Sequence, residues 1–83
     1  FMEKDELIKK MNALETNVAL STTHFLIAAD ETKALEVRKL HAEEYLGQID
    51  TLIGTNVYPS EIAELYLEGK YYLHELVEND FQE

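Results

Sequence analysis

Gly54-Thr55-Asn56-Val57-Tyr58-Pro59-Ser60 is the one stretch of this chain in which turn-forming residues gather, and it divides the sequence unequally. Only three Gly and one Pro occur in 83 residues, so everything outside this loop is free to be helical. Downstream, Ser60 is a good N-cap, and Glu61 and Glu64 suit the positive end of a helix dipole. Ile62, Leu65, Tyr66, Gly69, Leu73, Leu76 and Val77 then repeat at helical spacing and predict a helix over about 61–79.

Upstream, Leu35, Ala42, Leu46, Ile49 and Ile53 form the apolar stripe of a second helix over about 32–53. Asp30-Glu31-Thr32 caps its start and Gly54 stops it. Further back, Leu7, Met11, Leu14, Val18, Thr22, Phe25 and Ala29 recur at steps of three and four, which reads as one helix over about 5–29. The β-branched pair Thr22-Thr23 is a poor helix former, and Ser21 could begin a new segment. The expected architecture is all-α: a small three-helix bundle in a single domain, 2–83, that dimerisation would complete. Its core is Leu7, Met11, Leu14, Val18, Phe25, Leu35, Leu46, Ile49, Ile53, Leu65, Leu73 and Leu76, with Tyr66 as a further member.

Composition narrows the function. Seventeen acids against seven bases give a net charge of −10, which disfavours direct nucleic-acid binding, because such binding needs Lys and Arg to displace phosphate counterions. The 46% hydrophobic content argues against a disordered acidic tail. Cys is absent, which removes thiolate nucleophiles, disulfides and the usual structural zinc sites. The uncharged run from Thr16 to Ala29 is interrupted by polar residues and falls short of the roughly 20 apolar residues of a membrane span. Phe1 precedes Met2, which reads as the natural start, and no signal peptide is expected. A cytoplasmic location is expected.

Catalysis and metal binding are not expected. His41-x-x-Glu44 and His74-x-x-x-Glu78 can each put two ligands on one helical face, yet there is no Glu-x-x-His pair and no His-Glu-x-x-His. Ser21-Thr22-Thr23-His24 has the composition of a nucleophile and its base, but sequence neighbours on a helix point in different directions. There is no phosphate loop, and no cofactor is implied.

The apolar residues that a bundle does not need point instead to binding. On the third helix, Glu61, Glu64, Glu68, Glu75 and Glu78 fall within an arc of about 100°. Leu67, Tyr71 and His74 lie beside them, away from the core side. An aromatic and an aliphatic anchor bordered by carboxylates suits a basic protein surface. The expected contact residues are Glu64, Leu67, Glu68, Tyr71, Glu75 and Glu78, with Tyr58 a further candidate. Leu20 and Ile27 on the first helix and Val37 and Leu40 on the second lie off the main stripes, and they form the expected dimer interface.

In length and acidity the chain is similar to the small helical immunity proteins that neutralise bacterial nuclease toxins, though the tyrosine pair and acidic loop of that group are missing here. Phage-encoded inhibitors of bacterial defence resemble it in composition alone. The expected function is that of a stoichiometric inhibitor or regulator, not an enzyme, binding a basic surface on a nucleic-acid-handling protein in the manner of phage anti-defence, immunity or antitoxin proteins. A homo-oligomeric structural or adaptor protein is the alternative, and a metal-binding helical bundle a weaker one.

Overall fold

A computed structural model describes residues 2–14, 20–55 and 57–83, and for Leu20 the backbone alone. The described residues form four helices and no strand: α1 (Lys4–Asn12), α2 (Leu20–Ala29), α3 (Leu35–Thr55) and α4 (Ser60–Glu78). The all-helical class is as the periodicity predicts, but the expected first helix is two. A straight helix over residues 5–29 would be about 37 Å long at 1.5 Å per residue. The longest dimension of the molecule is 33 Å. α1 ends where the Ala13 amide turns back to the Lys9 and Lys10 carbonyls, and α1 and α2 then pack side by side. Val18 and the Leu20 side chain, expected in the core and at a dimer interface, lie outside the described residues.

Cross-helix contacts give the topology. Ser21 meets Gln48, His24 meets His41 and Ala28 meets Arg38, so α2 and α3 run antiparallel as a hairpin. In the turn between them, the Asp30 carboxylate accepts from both the amide and the hydroxyl of Thr32, holding the Asp30 carboxyl below the usual carboxylate range. Asp30 therefore caps the turn, and α3 starts five residues later than Asp30 and not at Thr32. α4 returns antiparallel to α3, with Tyr45 against Tyr66 and Arg38 against Phe81. α1 lies against α2 and α4.

The core is built on Leu7, Met11, Phe25, Ala28, Ala29, Ala42, Tyr45, Ile49, Leu65, Tyr66, Leu73 and Leu76. Leu14, Leu46 and Ile53 pack at its edge. Leu35, expected inside, is 44% exposed, because the buried stripe of α3 runs instead through Arg38, Ala42, Tyr45 and Ile49. Tyr58, expected as a contact residue, is half-buried and packs edge-on against Tyr66 at 5.5 Å.

Tyr45 occupies the centre of this core. Its ring is fully buried, lies 5.7 Å from Phe25, and its hydroxyl donates to the Tyr66 carbonyl at 2.6 Å. Burial pushes that hydroxyl well above its ordinary pKa, so it remains a donor. It reaches the α4 backbone because residue 69 is glycine. A Cβ there would lie 2.6 Å from the Tyr45 hydroxyl oxygen and 2.8 Å from the Met11 methyl carbon.

The far end of α4 closes with a left-handed turn. The Phe81 amide donates to the Leu76 carbonyl at 2.7 Å and the Asp80 amide to the Val77 carbonyl at 3.1 Å, which is the Schellman pattern. Asp80 takes the left-handed position, with φ of 53°, where glycine is usual.

Two glycines on helices therefore respond oppositely to the same change. Gly47 has nothing within 4 Å of an added Cβ, so Gly47→Ala should stabilise by about 1 kcal/mol, the difference in helix propensity. Gly69→Ala should destabilise by about 1–2 kcal/mol, because overpacking of about 1–3 kcal/mol exceeds that propensity gain. Urea unfolding of both variants checks the pair, and a stabilised Gly69→Ala would contradict the notch.

Candidate binding surfaces

The outer flank of α4 carries the residues expected to meet a partner. The core side of this helix is taken by Leu65, Tyr66, Gly69, Leu73 and Leu76, which leaves Glu64, Tyr71, His74, Glu75 and Glu78 facing solvent. Tyr71 is 54% exposed, with Leu67 half-buried one turn before it. The structure thus brings Leu67, Tyr71, Glu64, Glu75 and Glu78 onto one surface. His74 Nδ1 stands 3.7 Å from the Glu78 carboxylate on that surface. Glu68 differs from its neighbours. It is half-buried, and its carboxylate accepts from the Met2 amide at 2.8 Å, so it ties the segment before α1 to α4. Lys70 is turned to the other side of α4, where it bonds Asp50 of α3 at 2.9 Å.

A second surface lies on the outer side of the α2–α3 hairpin. Val37 is 41% and Leu40 55% exposed, and Ile27 is partly exposed. On the same hairpin, the Nδ1 atoms of His24 and His41 are 2.8 Å apart. The sequence placed neither histidine against the other, since the two are separated by 17 residues and belong to different helices. Among the described residues, no group of three or more His, Cys, Asp or Glu side chains converges. Nor is any helix there long and apolar enough to cross a membrane.

A third cluster, which sequence reasoning missed, is polar and joins the ends of all four helices. Arg38 is only 7% exposed. Its Nε donates to the Ala28 carbonyl at 2.9 Å, its Nη2 lies 3.3 Å from the Glu83 carboxylate, and its guanidinium sits 5.3 Å from the centre of the Phe81 ring. Glu83 also accepts from Lys4 at 2.8 Å and from the Tyr72 hydroxyl. Lys4 in turn bonds Glu31 at 2.7 Å. Burial alone would raise the Glu83 carboxyl, but the hydrogen bonds from Lys4, Tyr72 and Arg38 outweigh it and hold the group below the usual carboxylate range. Burial and the neighbouring Glu83 push the Tyr72 hydroxyl up to about 12. The cluster is internally satisfied: among the described residues no buried side-chain nitrogen or oxygen lacks a hydrogen-bond partner. It therefore holds the helix ends together and presents no open donor set to a ligand.

No protein-family model matches the chain, and no curated protein or solved structure matches it significantly. The surfaces themselves must carry the functional reading.

The Glu83 cluster gives a pH dependence with a definite sign. A carboxyl whose pKa is lower folded than unfolded contributes stability above its unfolded value, near 4.5 for this group. That contribution disappears as pH falls through the lower folded value. Glu83→Gln should destabilise by about 1 kcal/mol at pH 7, a figure discounted for the carboxylate's partial exposure to solvent. Thermal melts of the two proteins should converge as pH falls from the unfolded value through the lower folded one. A constant gap down to acid pH would show that Glu83 acts through packing and not through charge.

Proposed function

We propose that this chain is a stoichiometric binding protein that uses the outer flank of α4 to cover a basic surface on a nucleic-acid-handling protein, as an inhibitor or regulator of the phage anti-defence, immunity or antitoxin type. The observation that carries this reading is Tyr71. Folding accounts for Tyr45 and Tyr66 in the core and for Tyr72 in the Glu83 cluster, but the Tyr71 ring stands in solvent between Glu64, Glu75 and Glu78. A large, rigid ring with few rotatable bonds adds contact area at small entropic cost, and neighbouring carboxylates steer association and select against acidic partners. With a net charge of −10, the whole molecule attracts a basic target at long range.

A homodimer through Ile27, Val37 and Leu40, with Leu20, is the second reading. The exposure of Leu40 and Val37 on the α2–α3 hairpin favours it. In this reading the acidity only keeps a structural or adaptor protein soluble. Sedimentation equilibrium at micromolar concentration checks it. A dimer mass that Leu40→Glu converts to the monomer mass is the expected result, and a monomer mass for the unaltered chain would end the dimer reading.

The partner-binding reading is tested on the protein recovered from the native host by pull-down. Tyr71→Ala should weaken binding by about 2 kcal/mol or more, roughly thirtyfold, with little change in melting temperature. Glu64→Lys with Glu75→Lys should mainly slow association and flatten its dependence on salt between about 50 and 500 mM. These two acids are chosen because Glu68, which holds the Met2 amide, has a structural role of its own. If Tyr71→Ala binds as tightly as the parent chain, α4 is not the working surface.

A further inference from the structure

The α2–α3 hairpin presents a pair of imidazoles that the partner-binding reading leaves unused. His24 and His41 face each other through their Nδ1 atoms at 2.8 Å, with ring centroids 5.0 Å apart and planes tilted by 36°. A neutral imidazole has one N–H and one bare nitrogen. A hydrogen bond across this gap therefore needs a proton on one Nδ1 and a lone pair on the other. Replacing that shared proton by a divalent cation would turn one hydrogen bond into two coordinate bonds. The geometry points to His24 and His41 as a bidentate site for a borderline divalent transition-metal ion of the Zn²⁺ class.

Distance, support and ligand type each favour this assignment. With metal–nitrogen bonds of about 2.0–2.1 Å, donors 2.8 Å apart would subtend about 86° at an ion, and because ring centroids 5.0 Å apart set the two lone pairs nearly head-on, both rings must turn toward a common ion to reach a square-planar or octahedral cis arrangement. A tetrahedral ion needs them about 3.3–3.4 Å apart, an opening of about half an ångström. Both rings are partly exposed, so a small side-chain rotation can provide it. The two helices that carry the rings are pinned on either side of the pair. Ser21 meets Gln48 on one side, and the Arg38 Nε bonds the Ala28 carbonyl on the other. The donors are thus set by packed helices and not by a loop, which is the arrangement that favours precise ligation. Imidazole donors suit Zn²⁺, Ni²⁺ and Cu²⁺, whereas Mg²⁺ and Ca²⁺ prefer oxygen. Because no third His, Cys, Asp or Glu joins the pair among the described residues, the remaining coordination positions stay open to water or to donors from another molecule. Ile27 and Val37 lie one helical turn from His24 and His41, so a hydrophobic rim borders the site.

Calorimetric titration of the chelator-treated full chain with ZnCl₂, near pH 7.5 in a non-coordinating buffer, tests the site. Saturable binding is expected, weakened by about 100-fold in both His24→Ala and His41→Ala, since loss of a ligand should cost at least as much as loss of an outer-shell partner. His74→Ala, which removes the exposed histidine beside Glu78, should bind as the parent does. A readout on the unaltered protein guards against variants that fail to fold: Zn²⁺ should shift the ring resonances of His24 and His41 in the NMR spectrum and leave those of His74 in place. Either of two results would overturn the assignment: no saturable binding up to about 1 mM Zn²⁺, or ring resonances of His24 and His41 that do not move when binding saturates.

Discussion

The Tyr45 hydroxyl rests in a gap that exists only because α4 carries glycine at position 69, and the fit of the remaining helices follows from that contact. A helix interior normally disfavours glycine by about 1 kcal/mol relative to alanine. Here the missing side chain lets a phenol ring cross the space between α3 and α4 and end on a backbone carbonyl, while the Met11 methyl of α1 enters the same gap. Phe25 of α2 then packs against Tyr45 on one side and Tyr72 on the other, at 5.7 and 6.0 Å, so one site joins residues from every helix. Aromatic pairs of this kind contribute about 0.5–1.5 kcal/mol beyond their buried area. In a domain with so little interior, such contacts matter more than they would in a large one.

Much of this was legible in the sequence, and the failures have definite physical causes. The break before α4 and the helices on either side of it follow from turn chemistry and periodicity, but Gly54, read as the stop of the second helix, lies inside α3, and Pro59 rather than Ser60 occupies the N-cap of α4. The division of the first helix does not, because the buried stripes of α1 and α2 are in phase: Leu7 and Phe25 are 18 residues apart, as are Met11 and Ala29, and 18 residues make about five full turns. Periodicity continues unbroken across a break of that length. The rotation of the α3 stripe away from Leu35 was hidden for another reason. Its buried members include Arg38, whose charge marks it as exposed until Glu83, the Ala28 carbonyl and the Phe81 ring are known to surround it. The acidic flank of α4 was visible as a pattern, although nothing in the pattern separates Glu68, bonded to the Met2 amide, from the carboxylates around it.

Three polar features among the described residues differ in how far they are satisfied, and that difference separates structure from candidate function. Around Arg38 and Glu83, every charge meets an opposite charge, a carbonyl or a ring. On α4, Glu64 and Glu75 lie in solvent beside an exposed ring. At His24 and His41, two nitrogens share one gap in which a single proton can be placed. A satisfied cluster holds helices together, whereas surplus carboxylates and competing nitrogens leave interaction capacity directed outward.

The Glu83 contacts also bear on how the molecule is made. Glu83 meets Lys4 across 79 residues, Arg38 across 45 and Tyr72 across 11. At about 5–20 residues per second, a ribosome needs about 2–9 s to go from codon 38 to codon 83. Small helical domains rearrange in microseconds to milliseconds, so α1, α2 and α3 search for partners thousands of times before the carboxylate is available. During that interval the Arg38 guanidinium has no counter-charge from Glu83 and is better hydrated than buried. The emerging chain is therefore expected to keep its hairpin open at the Arg38 end, and to close there only when the last of its partners has been synthesised.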